Sequence, residues 1–312
     1  MLYIYHISYI VNKLRILYFF VNIKFKDIFY ILNMKYIICY TGGGFNDMLN
    51  GIDVCFKHAL KYNRILIIDS TQVSWFKDDI HKYIEFVHPI IYKNNINELY
   101  TKLETSNTYP TELKGKLKTM KIYFKNYTFM AEGDIQTSIN LNQDYIEDVI
   151  IYSNCGGYIS TEIFNYIKFK PLVKNVYFDR LSKLPSNYIS IHVRNTDKRC
   201  HNISDFTNNH EELLLNNKFF LGTDDYKTLQ LYKEKFKDTV IHFSKIPLNE
   251  DGKNIHYYHD NIEQELFIID CIVDLLLLAS ANEYYFSTKD SGYSNFANLL
   301  FHNKHILNNM LN

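Results

Sequence analysis

The segments KYIICY, TGGGFND, MLNGIDVCFKHALKY and RILIID follow one another between Lys35 and Asp69, with Asn63 alone between the last two. The first and last are apolar at consecutive rather than alternate positions, a pattern that a strand with one wet face does not show. They predict parallel strands of a sheet covered on both sides, with the intervening helix as the crossover that parallel pairing demands. No other feature of the chain narrows the choice of fold as far.

The second half repeats the alternation. PLVKNVYFDRLSKL reads as a helix, NYISIHV and KFFLGT as strands, DDYKTLQLYKEKF as a helix and TVIHFS as a strand. EQELFIIDCIVDLLLLASA then reads as a long helix, EYYFST as a strand and SGYSNFANLLFH as a helix. Between the halves, SWFKDDIHKYIEFV and INELYTKLE read as helices, KIYFKNY and DVIIYS as strands, and TELKGKLKTMK as a loop or irregular insert. A chain of 312 residues is long enough for two domains, each with its own core. The expectation is an α/β protein with a Rossmann-like domain over residues 34–170 and a second over 171–312, facing a cleft at the carboxyl ends of the strands. Residues 1–33 precede them as an extension. They are apolar, but Lys24, Lys26 and Asp27 interrupt the run before it reaches the roughly 20 residues of a membrane helix. Membrane association is not expected, with a signal-anchor role for residues 1–33 as the opposing reading.

Charge and cysteine usage exclude several classes. With 34 basic and 34 acidic side chains, no global field attracts nucleic acid, so any anion site is local. The cysteines, Cys39, Cys55, Cys155, Cys200 and Cys271, are scattered, without zinc-like spacing. A reducing compartment, the cytoplasm, is expected, and no metal site.

Three stretches carry chemistry. Gly42, Gly43 and Gly44 join a strand to a helix, where a backbone can approach a ligand and a helix N-terminus can face an anion. The loop fits neither GxGxxG nor the P-loop, so a plain tight turn and a methyltransferase-like nucleotide loop stay open. HVRNTDK ends a strand with His192, Arg194, Asp197 and Lys198 in seven positions. Arg194 offers a planar fork suited to phosphate, Lys198 a mobile charge, and Asp197 a partner for either. The opposing reading is a surface ion pair of Arg194 with Asp197 and a satisfied core histidine at His192. Ser291 and Gly292 open the last of the predicted helices, an anion-binding N-terminus or a simple cap. Asp224 and Asp225 stand at another helix start, where capping is the expected role.

In this order, GGGFNDMLNGI, PLVKNVYFDRLSKLPSNYISIHVRNTDK, FFLGTDD and VDLLLLASANEYYFSTKDSGYSNFA resemble the GDP-fucose-dependent fucosyltransferase superfamily: α1,6-fucosyltransferases, nodulation fucosyltransferases and protein O-fucosyltransferases. The match covers about residues 35–62 and 160–300, and HVRNTDK is its most specific piece. The resemblance implies a GT-B-like fold and inverting transfer of fucose from a GDP-sugar donor to a glycan or glycoprotein acceptor, without cofactor or metal. It places Arg194 at the donor's β-phosphate and His192 with Asp274 at guanine. Ser291 and Gly292 fall at the diphosphate, and Gly43, Gly44 and Asn46 in the glycine loop near the reacting sugar. Arg194, Asn46 and Asp197 are the catalytic candidates.

The chain departs from the pattern at Asn195, where the α1,6 branch has a second arginine, and at Gly43, where some relatives have a glutamate base. Asp47, Asp197 and Asp205 are the carboxylates in reach as a base, and a loose mechanism needing little base help is the alternative. A non-catalytic nucleotide- or carbohydrate-binding protein on the same scaffold, or a transferase of another nucleotide sugar, are the competing functions.

Overall fold

Both faces of the first strand are covered, as its sequence requires. In the computed structural model, which describes residues 34–126, 128–154, 162–196, 203–246, 263–286 and 291–312, the strands in chain order are β1 (Lys35–Thr41), β2 (Arg64–Asp69), β3 (Ile84–Phe86), β4 (Thr108–Tyr109), β5 (Ile122–Lys125), β6 (Thr128–Ala131), β7 (Ile135–Gln136), β8 (Val149–Asn154), β9 (Ile167–Phe169), β10 (Ile189–Val193), β11 (Phe219–Thr223), β12 (Val240–Ile241) and β13 (Glu283–Phe286). The helices are α1 (Phe45–Tyr62), α2 (Ile96–Leu103), α3 (Pro171–Ser182), α4 (Ile203–Asn209), α5 (Glu211–Asn216), α6 (Tyr226–Phe236), α7 (Gln264–Ser280), α8 (Gly292–His302) and α9 (Lys304–Leu311). The N-terminal extension, residues 1–33, lies outside the described residues.

Two four-stranded parallel sheets organise the chain, in the orders β2-β1-β8-β4 and β12-β11-β10-β13. Along β1, Ile37 and Cys39 enter one apolar cluster while Tyr36, Ile38 and Tyr40 enter another. Along β8, Ile150 and Tyr152 divide from Val149 and Ile151 in the same way. The period of two thus buries both faces. In the second sheet, Ile189, Ile191 and Val193 of β10 pack on one side with Phe219 and Leu221 of β11. The other side of β10 carries Ser190 and His192, which meet α7 and α8: Ser190 Oγ donates to the Leu278 carbonyl at 2.8 Å, and His192 bonds Ser294. A buried polar side chain is tolerated there because it is satisfied.

The largest apolar cluster contains residues of both sheets, running from Ile37 through Phe45 and Trp75 to Leu277 and Phe296. Phe296 of α8 stacks on Phe164 with centroids 4.8 Å apart, and Phe45 lies 6.4 Å away. Helix α7 has twelve buried residues and so reads as apolar all round. Among the described residues, no helix is long and apolar enough to cross a membrane.

Several expectations fail locally. Residues 74–87 form no long helix: they make turns, a single 3-10 turn over Ile80–Lys82 and strand β3, which pairs antiparallel with β9. The Ser70 hydroxyl donates to the Asp78 carbonyl at 2.6 Å and accepts from the Ile80 amide at 2.8 Å, drawing this segment into a closed loop. The strand expected over residues 239–244 is only Val240–Ile241. The insert after KIYFKNY is an antiparallel sheet, β5-β6-β7, that no sequence signal identified.

Candidate functional site

The tips of the two sheets meet at one cavity of about 710 Å³, a size ordinary for a nucleotide or small-ligand site. β1 and the turn after it bring Tyr40, Thr41, Gly42, Gly43, Gly44 and Asn46 to its wall, and β10 and β11 bring His192, Arg194, Gly222 and Thr223. α7 contributes Asp270, Cys271 and Asp274, and the first turn of α8 contributes Gly292 and Tyr293.

Gly43 adopts a φ of +72°, which an L side chain rarely does, and its carbonyl accepts from Trp75 Nε1 at 2.7 Å. The Gly44 amide donates to Asp47 Oδ2 at 3.1 Å, a capping-box contact that opens α1. Asp47 also lines the cavity, so this base candidate is engaged in holding the loop. Asn46, 7% exposed, sits against Gly292, where an added Cβ would come within 2.9 Å of Asn46 Nδ2. The glycine loop and the α8 N-terminus are therefore in direct apposition.

At the β10 tip, Arg194 Nε lies 3.8 Å from Asp224 Oδ2. Asp224 accepts from the Asn195 amide at 2.9 Å and from Thr196 Oγ1 at 2.6 Å, clamping the backbone on which Arg194 stands. Capping falls to its neighbour: Asp225 Oδ2 accepts from the Thr228 amide at 2.9 Å to open α6. Asn195 Nδ2 donates to Asp225 Oδ2 at 3.2 Å and to Thr228 Oγ1 at 3.1 Å, away from the cavity, which it does not line. Its side chain is an internal brace. Asp197 and Lys198 lie outside the described residues, as does the side chain of Asp205.

His192 is 5% exposed, its Nδ1 bonded to Ser294 Oγ and its ring 4.9 Å from that of Tyr293. Burial, and next the Arg194 charge, push its pKa down to about 3, so the ring is neutral at ordinary pH. Asp270 and Asp274 project one turn apart on α7. Arg180 of α3 pairs with Asp270 Oδ1 and lies 3.5 Å from Asp274 Oδ1. Asp270 Oδ2 also accepts from the Lys245 amide at 3.2 Å. Asp274 Oδ1 is buried and makes no hydrogen bond within the protein. Burial raises the Asp274 carboxyl to about 6, against the opposing pull of His242, Ser244 and Arg180.

Of the residues expected at the site, His192, Arg194, Asp274, Gly43, Gly44, Asn46 and Gly292 converge on the cavity. Ser291 is fully buried behind it and caps α8 by accepting from the Ser294 amide at 3.3 Å. Asp270, Trp75, Tyr293 and Lys245 line the cavity unanticipated. The i, i+4 carboxylates in the apolar run FIIDCIVDLLLL were a readable signal for Asp270; nothing local marks Lys245 or Trp75. Among the described residues, no group of three or more His, Cys, Asp or Glu could hold a metal ion. The cavity thus joins a guanidinium and a helix N-terminus, both favourable to an anion, to a neutral imidazole and an orphaned carboxylate, which suit a neutral hydrogen-bonding ring.

No protein-family model and no curated protein matches the sequence. Solved structures do. The chain is similar to fucosyltransferase NodZ from Bradyrhizobium, with TM-score 0.56, 16% identity and coverage of 86% of this chain and 94% of that one. It is also similar to a mutant of Arabidopsis thaliana FUT1 in complex with GDP (TM-score 0.51, 12% identity, 86% and 69% covered). POFUT1 in complex with GDP matches at TM-score 0.52 and 10% identity, with 85% and 95% covered. The chain shares its fold with these fucosyltransferases.

Proposed function

We propose that this chain is an inverting glycosyltransferase of GT-B type that transfers L-fucose from GDP-fucose to a glycan or protein hydroxyl. Residues 34–170 form the acceptor-side domain and 171–312 the nucleotide-sugar domain. The observation that carries the reading is the convergence of His192, Arg194, Asp274, Gly292 and the glycine loop on one cavity, in a fold shared with structures solved with GDP.

In this reading the guanine ring lies between His192 and Asp274. The orphaned Asp274 Oδ1 accepts from ring N–H groups that water would otherwise satisfy. The diphosphate lies at Arg194 and the first turn of α8. When the bond from the sugar carbon to the phosphate oxygen breaks, the departing GDP gains negative charge, and these donors are already aimed at it. The acceptor hydroxyl attacks the opposite face of the sugar and inverts it. No divalent ion takes part in the scheme, since guanidinium and amides supply the positive potential. Calorimetry with GDP, UDP and S-adenosylmethionine tests the assignment without added metal. Preference for UDP changes the donor, and binding of the methyl donor alone overturns the transferase reading.

One observation favours a second reading, a nucleotide-binding protein without transfer activity. Among the described residues, the cavity carboxylates each have another engagement: Asp47 with Gly44, Asp224 with Asn195 and Thr196, Asp270 with Arg180, and Asp274 lies at the base end. Tight GDP binding with neither transfer nor donor hydrolysis on a glycan array would establish it.

A further inference from the structure

The two walls of the cavity differ in chemistry. On the β10 side stand Arg194, Lys245, Asp224, Asp270 and Asp274; on the other, none of the lining residues between Tyr40 and Phe129 is a lysine or arginine. That second wall is aromatic: Trp75, Tyr123, Phe124 and Phe129 line it. Phe124 is 55% exposed, and its ring lies 5.1 Å from that of Phe129. Phe129 in turn lies over the glycine loop, so near that a Cβ at Gly42 would fall 2.4 Å from its ring.

Two buried polar atoms sit among these rings without a hydrogen-bond partner in the protein: Thr41 Oγ1 and Asn46 Oδ1, in side chains 5% and 7% exposed. Leaving buried polar atoms unmade costs free energy unless a ligand completes them. A ligand that matches the wall must therefore present an apolar face to the rings and hydroxyls to Thr41 and Asn46, and must carry no anionic group, since the wall offers none a cation. A neutral sugar chain has those properties: its C–H faces cover aromatic surface while its edge is ringed with hydroxyl donors and acceptors.

We propose that the β5-β6-β7 sheet and the glycine loop form the docking platform for the acceptor, and that the acceptor is a neutral oligosaccharide stacked on Phe124 and Phe129. The proposal rests on the donor assignment above only in naming this ligand the acceptor; the sugar-binding surface stands on its own observations. The platform is braced: Lys125 Nζ lies 2.7 Å from Asp134 Oδ2, and Tyr123 Oη donates to Asp134 Oδ1 at 2.7 Å. A truncation of exposed Phe124 therefore leaves the sheet intact.

The test is a titration with neutral glucan-, xylan- and chitin-type tetrasaccharides beside sialylated and sulfated glycans, with and without GDP. Trp75, the single tryptophan of the chain, reports binding by fluorescence, and saturation-transfer NMR reports it from the ligand. A neutral tetrasaccharide should bind, Phe124→Ala should weaken it by about tenfold, the scale of a stacked aromatic anchor, and Phe124→Tyr should restore it. GDP affinity should be the same in all three proteins. Absence of neutral-sugar binding, preference for the anionic glycans, or equal affinity in Phe124→Ala overturns the platform. Loss of GDP binding with Phe124-dependent sugar binding intact overturns the donor assignment instead.

Discussion

Arg194 is where the proposed chemistry concentrates, and its replacement separates charge from geometry. Arg194→Lys keeps the charge but loses the planar fork, so GDP affinity should fall by about ten- to hundredfold, from a lost charge-assisted contact of roughly 1.5–3 kcal/mol. Turnover should fall further, because the contact tightens as the diphosphate leaves; unchanged binding and turnover would make Arg194 a structural partner of Asp224 alone. Asp274 makes the site pH-dependent. Its carboxyl titrates near 6 beside Arg180, Asp270, His242 and Ser244, and only the ionised form accepts from two donors. GDP affinity should therefore weaken as pH falls from 7 to 5, and Asp274→Asn should be weak and flat over that range by calorimetry. Stability runs the opposite way for this group: its raised pKa favours the fold below 3.8 and that contribution is lost as pH rises through about 6. For His192, lowered from 6.5 to about 3, stability is gained as pH rises across that interval. The face of His192 was legible from strand alternation, since Ile191 and Val193 claim the other side. The brace role of Asn195 was not: it depends on Asp225 and Thr228, some 30 residues away, and contacts at that separation leave no local pattern.

Helices and strands buried on both faces announced themselves. The run through α7, the β1-α1-β2 unit and β10 were all readable, because burial leaves no polar face to interrupt the pattern. The misread segment, residues 74–87, is helix-like in composition, but β3 owes its form to pairing with β9 some 80 residues on, and tertiary pairing overrides propensity. The β5-β6-β7 sheet was half seen, as one strand of three, since its exposed positions show no clean alternation. At this scale the helix α6 has a sharp test. Asp225 caps it and also anchors Asn195, so Asp225→Ala should cost about 1 kcal/mol as a cap and more through the freed Asn195 amide. Urea unfolding measures the loss; a change under 0.5 kcal/mol, the usual limit for an uninvolved surface position, would deny Asp225 both roles. Weakened GDP binding should accompany it, because the same bracket steadies the Arg194 tip.

The two parallel sheets were legible as an α/β pair, and the cavity at their carboxyl ends follows from that architecture. What the sequence did not convey is how firmly the halves are joined. Phe296, in the helix whose first turn faces the cavity, is wedged against Phe164 and Phe45, within an apolar cluster shared by both sheets. Packed interiors resist continuous deformation, so swinging the halves apart would tear open that cluster. The protein should then behave as a single rigid body with a fixed slot rather than as a jaw on a hinge. Small-angle scattering should give the same radius of gyration with and without saturating GDP, and a ligand-dependent contraction would show a jaw after all. A slot of that kind admits its substrates by the movement of side chains and loops at its mouth, and the order in which they enter is decided by which of them lies deeper.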